Sequence, residues 1–230
     1  MINKYGVDYN VDFVFCIDAT ASMKPVIEMV KAGAINFYAD VTNAMGRKGK
    51  GINKMRIRIV VYRDYVADGE GSMLVTEFFN FPEDAATFNE AVNSIQALGG
   101  GDEPEHGLEA LAYAIKSKWA PAIPGQKRRQ VIVVWSDAST HELGHGAVNP
   151  NYPSNMARNF GELSEWWGDA YAQEHMDDSG KRLLLFTPDV RHWNIISDNW
   201  NNVIHFPSRA GEGLGEFTYD EILDTIANSV

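Results

Sequence analysis

The sequence predicts an α/β domain, doubly wound, with a mostly parallel central sheet and helices on both faces. Three observations predict it. Residues 11–17 (VDFVFCI) and 131–135 (VIVVW) are short, nearly continuous apolar runs, the pattern of strands buried on both sides. Between such runs, apolar residues recur at steps of three and four, the helical period. The connections are short, so strands alternate with helices, which implies a parallel sheet covered on both faces. There is no internal repeat, low-complexity tract or linker, and residues 1–230 read as one domain.

The elements follow in order. The run 11–17 ends at Asp18. Val26, Val30, Ala34, Phe37, Val41 and Met45 then fall at helical spacing, with Pro25 in the first turn and Gly46 as a natural stop. Residues 55–62 (MRIRIVVY) alternate and predict a strand, and residues 74–79 a shorter one. Phe88, Val92, Ile95 and Leu98 mark a helix beginning near Pro82. Leu108, Leu111, Ala112, Ile115 and Trp119 mark another beginning near Pro104. The run 131–135 leads to Ser136 and Asp137. Residues 138–160, rich in Gly, Pro, Asn and His, predict a long loop, and Leu163, Trp166, Trp167, Ala170 and Tyr171 a helix after it. Residues 183–186 and 203–206 are further strands. Thr218 and Glu221 form a capping box ahead of a last helix carrying Ile222, Leu223 and Ile226.

Twenty basic against 31 acidic residues leave a formal charge of −11, which argues against nucleic acid and against an anionic membrane surface. No stretch approaches the ~18 consecutive apolar residues of a membrane span. Cys16 is the only cysteine, so no internal disulfide is possible, and residues 1–10 lack a signal-peptide pattern. The expectation is a reduced, cytoplasmic setting. Cys16, inside a buried strand, is expected to be inert.

In doubly wound sheets, ligands sit beyond the carboxyl ends of the strands, where the strand order reverses. Two of the most apolar strands lead into an aspartate: Asp18 directly after the first, and Asp137 one residue past Trp135. The first continues as Asp18-Ala-Thr20-Ala-Ser22, in which alternate residues of a turn entering a helix bring one carboxylate and two hydroxyls to one point. Oxygen-only donors suit Mg²⁺, Mn²⁺ or Ca²⁺ and not Zn²⁺.

Taken together, these segments resemble the metal-ion-dependent adhesion site of von Willebrand factor type A domains, whose fold is Rossmann-like. Asp18-x-Thr20-x-Ser22 is similar to that family's first segment, with Thr20 in place of a serine, and Asp137 to its third. Gly99-Gly-Gly-Asp102-Glu-Pro104-Glu105 is similar to its second, but Asp102 stands where a threonine is usual. It looks more like the Asp-x-Pro-Glu form of integrin β subunits, so Asp102 and Glu105 are rival ligands. The resemblance covers most of the chain from Val11 onward. It implies one antiparallel edge strand in a six-stranded sheet, a bound Mg²⁺ (or Mn²⁺ or Ca²⁺), capture of a partner's Asp or Glu carboxylate, and no catalysis. Stand-alone bacterial members resembling this chain act beside kinases, phosphatases or chaperone-like ATPases, which are the implied partner classes. The loop after Asp137, with His141 and Glu142, is the candidate partner-binding surface.

Other readings compete. Ser22 alone fits a helix N-cap, and Asp102 and Glu105 fit a helix start. His141-Glu142-Leu-Gly-His145 matches the zinc-peptidase pattern and is the alternative function, a zinc-dependent hydrolase. That chemistry needs both histidines on one helix face, and Gly144, Gly146 and Pro150 argue against a helix there. Asp18-x-Thr20 lacks the second aspartate of a haloacid-dehalogenase-like phosphatase. Gly99-Gly-Gly101 lacks the Lys-Ser/Thr of a phosphate-binding loop.

Overall fold

A computed structural model describes residues 7–100, 103–168 and 176–230. The strands are β1 (Val7–Asp18), β2 (Lys50–Tyr62), β3 (Met73–Val75), β4 (Phe79–Phe81), β5 (Lys127–Trp135), β6 (Lys181–Pro188) and β7 (Val203–Ser208). The helices are α1 (Lys24–Ala34), α2 (Phe37–Arg47), α3 (Tyr65–Asp68), α4 (Ala85–Ser94), α5 (Gly107–Ile115), α6 (Phe160–Trp167), α7 (Trp193–Asn199) and α8 (Tyr219–Ser229). The sheet runs β3-β2-β1-β5-β6-β7, with β4 also on β2. β1, β2, β5, β6 and β7 are parallel. The chain therefore belongs to the doubly wound α/β class.

The apolar runs divide by alternation. Phe13, Phe15, Ile17, Val131, Val133 and Trp135 pack on one face with residues of α1, α2 and α8. Val14, Cys16, Ile132 and Val134 pack on the other with α5, α6 and α7. Both faces of β1 are thus dry, which explains why its sequence lacks the hydrophobic-polar rhythm of a one-sided strand. Burial pushes the Cys16 thiol far above its ordinary pKa, as expected of an inert cysteine. Trp166 and Trp167 are both buried.

Three expectations need correction. The described sheet has seven strands, not six, because the edge predicted over 74–79 is split into β3 and β4, both antiparallel to β2. Thr76 makes the break: its hydroxyl accepts the Ile59 N–H at 3.0 Å while its own N–H donates to Ile59 O. The single helix predicted over 26–45 is two, α1 and α2, separated at Ile35 and Asn36. At this junction the Tyr219 ring lies so close to Gly33 that a Cβ there would meet it at 2.3 Å. The helices placed near Pro82 and Pro104 begin later, at Ala85 and Gly107. Of the residues predicted for the helix after the long loop, Ala170 and Tyr171 lie outside the described residues. The capping box of Thr218 and Glu221 is present as expected.

Away from the site, buried Asp12 accepts Arg56 Nε at 2.8 Å, Arg56 Nη2 at 2.6 Å and the Ala120 N–H at 2.8 Å. Removing it strands a half-buried guanidinium and a backbone donor. Asp12→Ala is expected to destabilise the fold by about 2–4 kcal/mol, measured by urea unfolding.

Candidate functional site

β1 lies between β2 and β5, so the strand order reverses at β1/β5, and their carboxyl ends open one crevice. Asp18, the last residue of β1, is fully buried there. Its Oδ1 accepts the Thr20 N–H at 3.0 Å and the Thr20 hydroxyl at 2.7 Å. Its Oδ2 accepts the Ser136 hydroxyl at 2.7 Å, across the reversal. Ser22 Oγ lies 3.4 Å from Thr20 Oγ1 and donates to Asp137 Oδ1 at 3.0 Å. The two segments predicted to converge, Asp18-Thr20-Ser22 and Asp137, are therefore in hydrogen-bond contact. Ser22 does not cap α1: Met23 is its N-cap residue, and a 3-10 turn over Ala21–Met23 leads into it.

The second loop enters beside them. Gly99 and Gly100 have φ of +71° and +72°, which glycine adopts freely. A Cβ on Gly100 would meet Thr20 Cγ2 at 2.7 Å and Glu105 Oε1 at 2.9 Å, so this backbone presses between the first segment and Glu105. Glu105 is 4% exposed, and its Oε2 has no hydrogen-bond partner among the described residues. It is held by its backbone: its N–H donates to Ser139 O at 3.0 Å, and its carbonyl accepts the His141 N–H at 2.8 Å. Asp102, the rival ligand, lies outside the described residues. Glu105 lies two residues before Gly107, the first residue of α5, ahead of the N-cap residue His106.

The electrostatics are those of crowded, dry carboxylates. Burial raises the Asp18 pKa to about 6, against the Ser136 and Thr20 hydrogen bonds, and the charge of Asp137 adds to the rise. Burial pushes Glu105 to about 9, helped by the charges of Asp18, Asp64 and Asp68. A divalent cation would neutralise these groups and use the orphaned Glu105 oxygen. The donor set of carboxylates and hydroxyls fits a hard ion of the Mg²⁺ class.

Some contributors carry no motif in the sequence. Ser136, next to Asp137, is one. The loop after β7 is another: the Gly213 N–H donates to Asp137 Oδ2 at 2.8 Å and the Gly211 N–H to Asp137 O at 2.9 Å. The signal for it lies in Gly211, Gly213 and Gly215, spaced by single residues past an apolar strand.

His141 and Glu142 lie in irregular backbone and His145 in a turn, and none of the three is helical. Glu142 accepts Arg191 Nη2 at 2.6 Å, while His141 Nε2 lies 2.9 Å from Asp64 Oδ2. The His145 ring stacks on His141 with centroids 3.9 Å apart. The zinc-hydrolase alternative required both histidines on one helical face with Glu142 between them, and this backbone does not supply that arrangement.

A family model described as the von Willebrand factor A domain matches residues 12–142, more than half of the chain. The alpha-protein kinase vwkA of Dictyostelium discoideum is 26% identical over 228 residues, 95% of this chain and 33% of the kinase. The chain thus spans about a third of that relative's length. Among solved structures, the pilus adhesin SpaC from Lactobacillus rhamnosus GG is similar with a TM-score of 0.54 and 12% identity, over 96% of this chain and 30% of SpaC. The vWF domain of the type V pili tip protein Mfa5 from Porphyromonas gingivalis is similar with a TM-score of 0.51 and 15% identity, over 96% of both chains. At these identities the two structures speak for the fold alone.

Proposed function

The chain belongs to the von Willebrand factor A domain family, and on that premise we propose that it is a protein-binding module that captures a partner's Asp or Glu carboxylate through a divalent cation. The single observation that carries this reading is the buried, unpartnered Glu105 oxygen beside Asp18. Several buried acids at one point without a cation are costly, and that cost is the reason to expect one.

In this reading Asp18, Thr20, Ser22, Asp137 and Glu105 hold Mg²⁺ or Mn²⁺, and Asp102 remains the rival for the second-loop position. When bound, such an ion supplies an open coordination position and residual positive charge for an incoming carboxylate. The chain's own residues do the rest. Ser136 and Thr20 orient the Asp18 carboxylate. Gly213 fixes that of Asp137. The loop after Asp137, with half-buried His141 and exposed Glu142, Ala147 and Val148, forms the rim that selects among partners. An intracellular kinase, phosphatase or ATPase is the proposed partner class.

The test is Mg²⁺ and Mn²⁺ titration of the wild type and Asp18→Ala, read by calorimetry and melting temperature, with retention of a partner measured with and without chelator. Cation-dependent stabilisation and retention, both lost in Asp18→Ala, are expected. A wild type whose melting temperature ignores both ions would overturn the reading.

A further inference from the structure

Glu105 and His106 are consecutive, and they serve different neighbourhoods. Glu105 lies beside Thr20 and Asp18. His106, fully buried, faces the loop after β2, where Asp64 begins α3. Asp64 spends one oxygen on capping: Oδ1 accepts the Ala67 N–H at 2.7 Å, together with that of Val66. Its other oxygen, Oδ2, lies 2.9 Å from His141 Nε2 and 3.4 Å from His106 Nδ1. One ligand atom from each of the three residues falls within 4.8 Å of the others.

We propose that Asp64, His106 and His141 form a second metal site, distinct from the oxygen-lined crevice and suited to Zn²⁺ or a similar borderline ion. Two imidazoles and a carboxylate are the donors such ions prefer, whereas Mg²⁺ and Ca²⁺ favour all-oxygen shells. Ligand atoms sharing a tetrahedral zinc at about 2.0–2.1 Å lie about 3.3 Å apart, close to the 2.9 Å and 3.4 Å that separate Asp64 Oδ2 from the two imidazoles. A purely hydrogen-bonded His–Asp–His arrangement explains Asp64 and His141 but not His106. Its Nδ1 accepts the Tyr65 N–H at 3.1 Å, so it has no proton to offer Asp64 Oδ2 only 3.4 Å away. Two lone-pair-bearing atoms held that close repel, and a cation between them removes the repulsion. Nδ1 is the ligating nitrogen, and the ion takes the place of the Tyr65 N–H on it.

The surroundings are built. A Cβ on Gly146 would meet His106 Nε2 at 2.9 Å and Tyr65 Cβ at 2.7 Å, so this turn closes over the imidazole. Asn149 Nδ2 donates to Tyr65 O. Tyr152 donates to buried Glu109 at 2.8 Å. A metal here pins the loop after β5 to the loop after β2, fixing the rim of the neighbouring crevice. Three protein ligands leave a fourth position for water.

The experiment uses the full chain, stripped with chelator and reloaded with Zn²⁺ against a chromophoric competitor, with Co²⁺ as a spectroscopic substitute. Wild type and Asp18→Ala are expected to bind stoichiometric zinc and to show the visible bands of tetrahedral Co²⁺. His141→Ala and Asp64→Asn are expected to bind zinc about tenfold more weakly or worse, with unchanged far-UV circular dichroism. His141 is partly exposed, so its variant is the one expected to keep its fold. Zinc affinity equal in wild type and His141→Ala overturns the site. So does zinc lost from Asp18→Ala but kept by His141→Ala, which moves the ion to the other crevice. Mg²⁺ titrations fail or succeed independently of either result.

Discussion

Glu105→Gln is expected to raise the melting temperature of chelator-treated protein by roughly 5–10 °C at pH 8 and to weaken or abolish the Mg²⁺ response. The wild-type carboxyl is buried beside Asp18 and held near pKa 9. A carboxyl raised on folding stabilises fully below its unfolded value and loses that contribution as pH climbs through its folded value. The loss runs at about 1.4 kcal/mol per pH unit from near 4.5, so by pH 8 it approaches 5 kcal/mol. Relaxation and water entry reduce this to about 2–4 kcal/mol, or a few degrees for each kcal/mol in a chain of this size. Glutamine keeps the shape and is neutral without taking up a proton on folding. The ranking reverses in saturating Mg²⁺, where only the wild type is stabilised by its ligand. Scanning calorimetry at pH 5 and pH 8, with and without Mg²⁺, reads both effects. An unchanged melting temperature together with an intact Mg²⁺ response would remove Glu105 from the site.

That prediction rests on a residue the sequence offered only as one of two rivals. Asp18, Thr20, Ser22 and Asp137 could be placed from sequence because each follows a buried strand at fixed spacing, and local geometry does the rest. Glu105 stood beside Asp102 as one of two rivals, and its burial could not be read, since it depends on Gly100 pressing against Thr20, a contact between loops distant in sequence. Asp64 and His106 could not be found at all. Neither lies in a pattern, and their meeting with His141 requires β2 and β5 to flank β1 and the bridge between Glu105 and Thr140. The parallel core was readable for the opposite reason: short continuous apolar runs rich in β-branched and aromatic residues fit strands buried on both faces. Short elements decided by single contacts, the Thr76 break and the Ile35–Asn36 junction, carry no periodic signal.

Mg²⁺ affinity is expected to rise steeply with pH, by about tenfold per unit between pH 6 and pH 9 and faster below pH 6. The sign follows from two groups that fold with their protons favoured. Asp18 titrates near 6 and Glu105 near 9, both chiefly through burial. An ion that needs both carboxylates must displace whichever protons are present, so proton release falls from two to one as Asp18 ionises, and to none above pH 9. Asp18 reaches its ionised form first because Ser136 and Thr20 donate to it, whereas Glu105 Oε2 has no such help. Calorimetry in buffers of different ionisation enthalpy counts the released protons directly. Affinity that is flat from pH 6 to pH 9 would mean that Glu105 does not ligate, and it would return the second-loop position to Asp102. The same titration on Glu105→Gln separates the two steps: the dependence above pH 6 disappears, and only the step belonging to Asp18 remains.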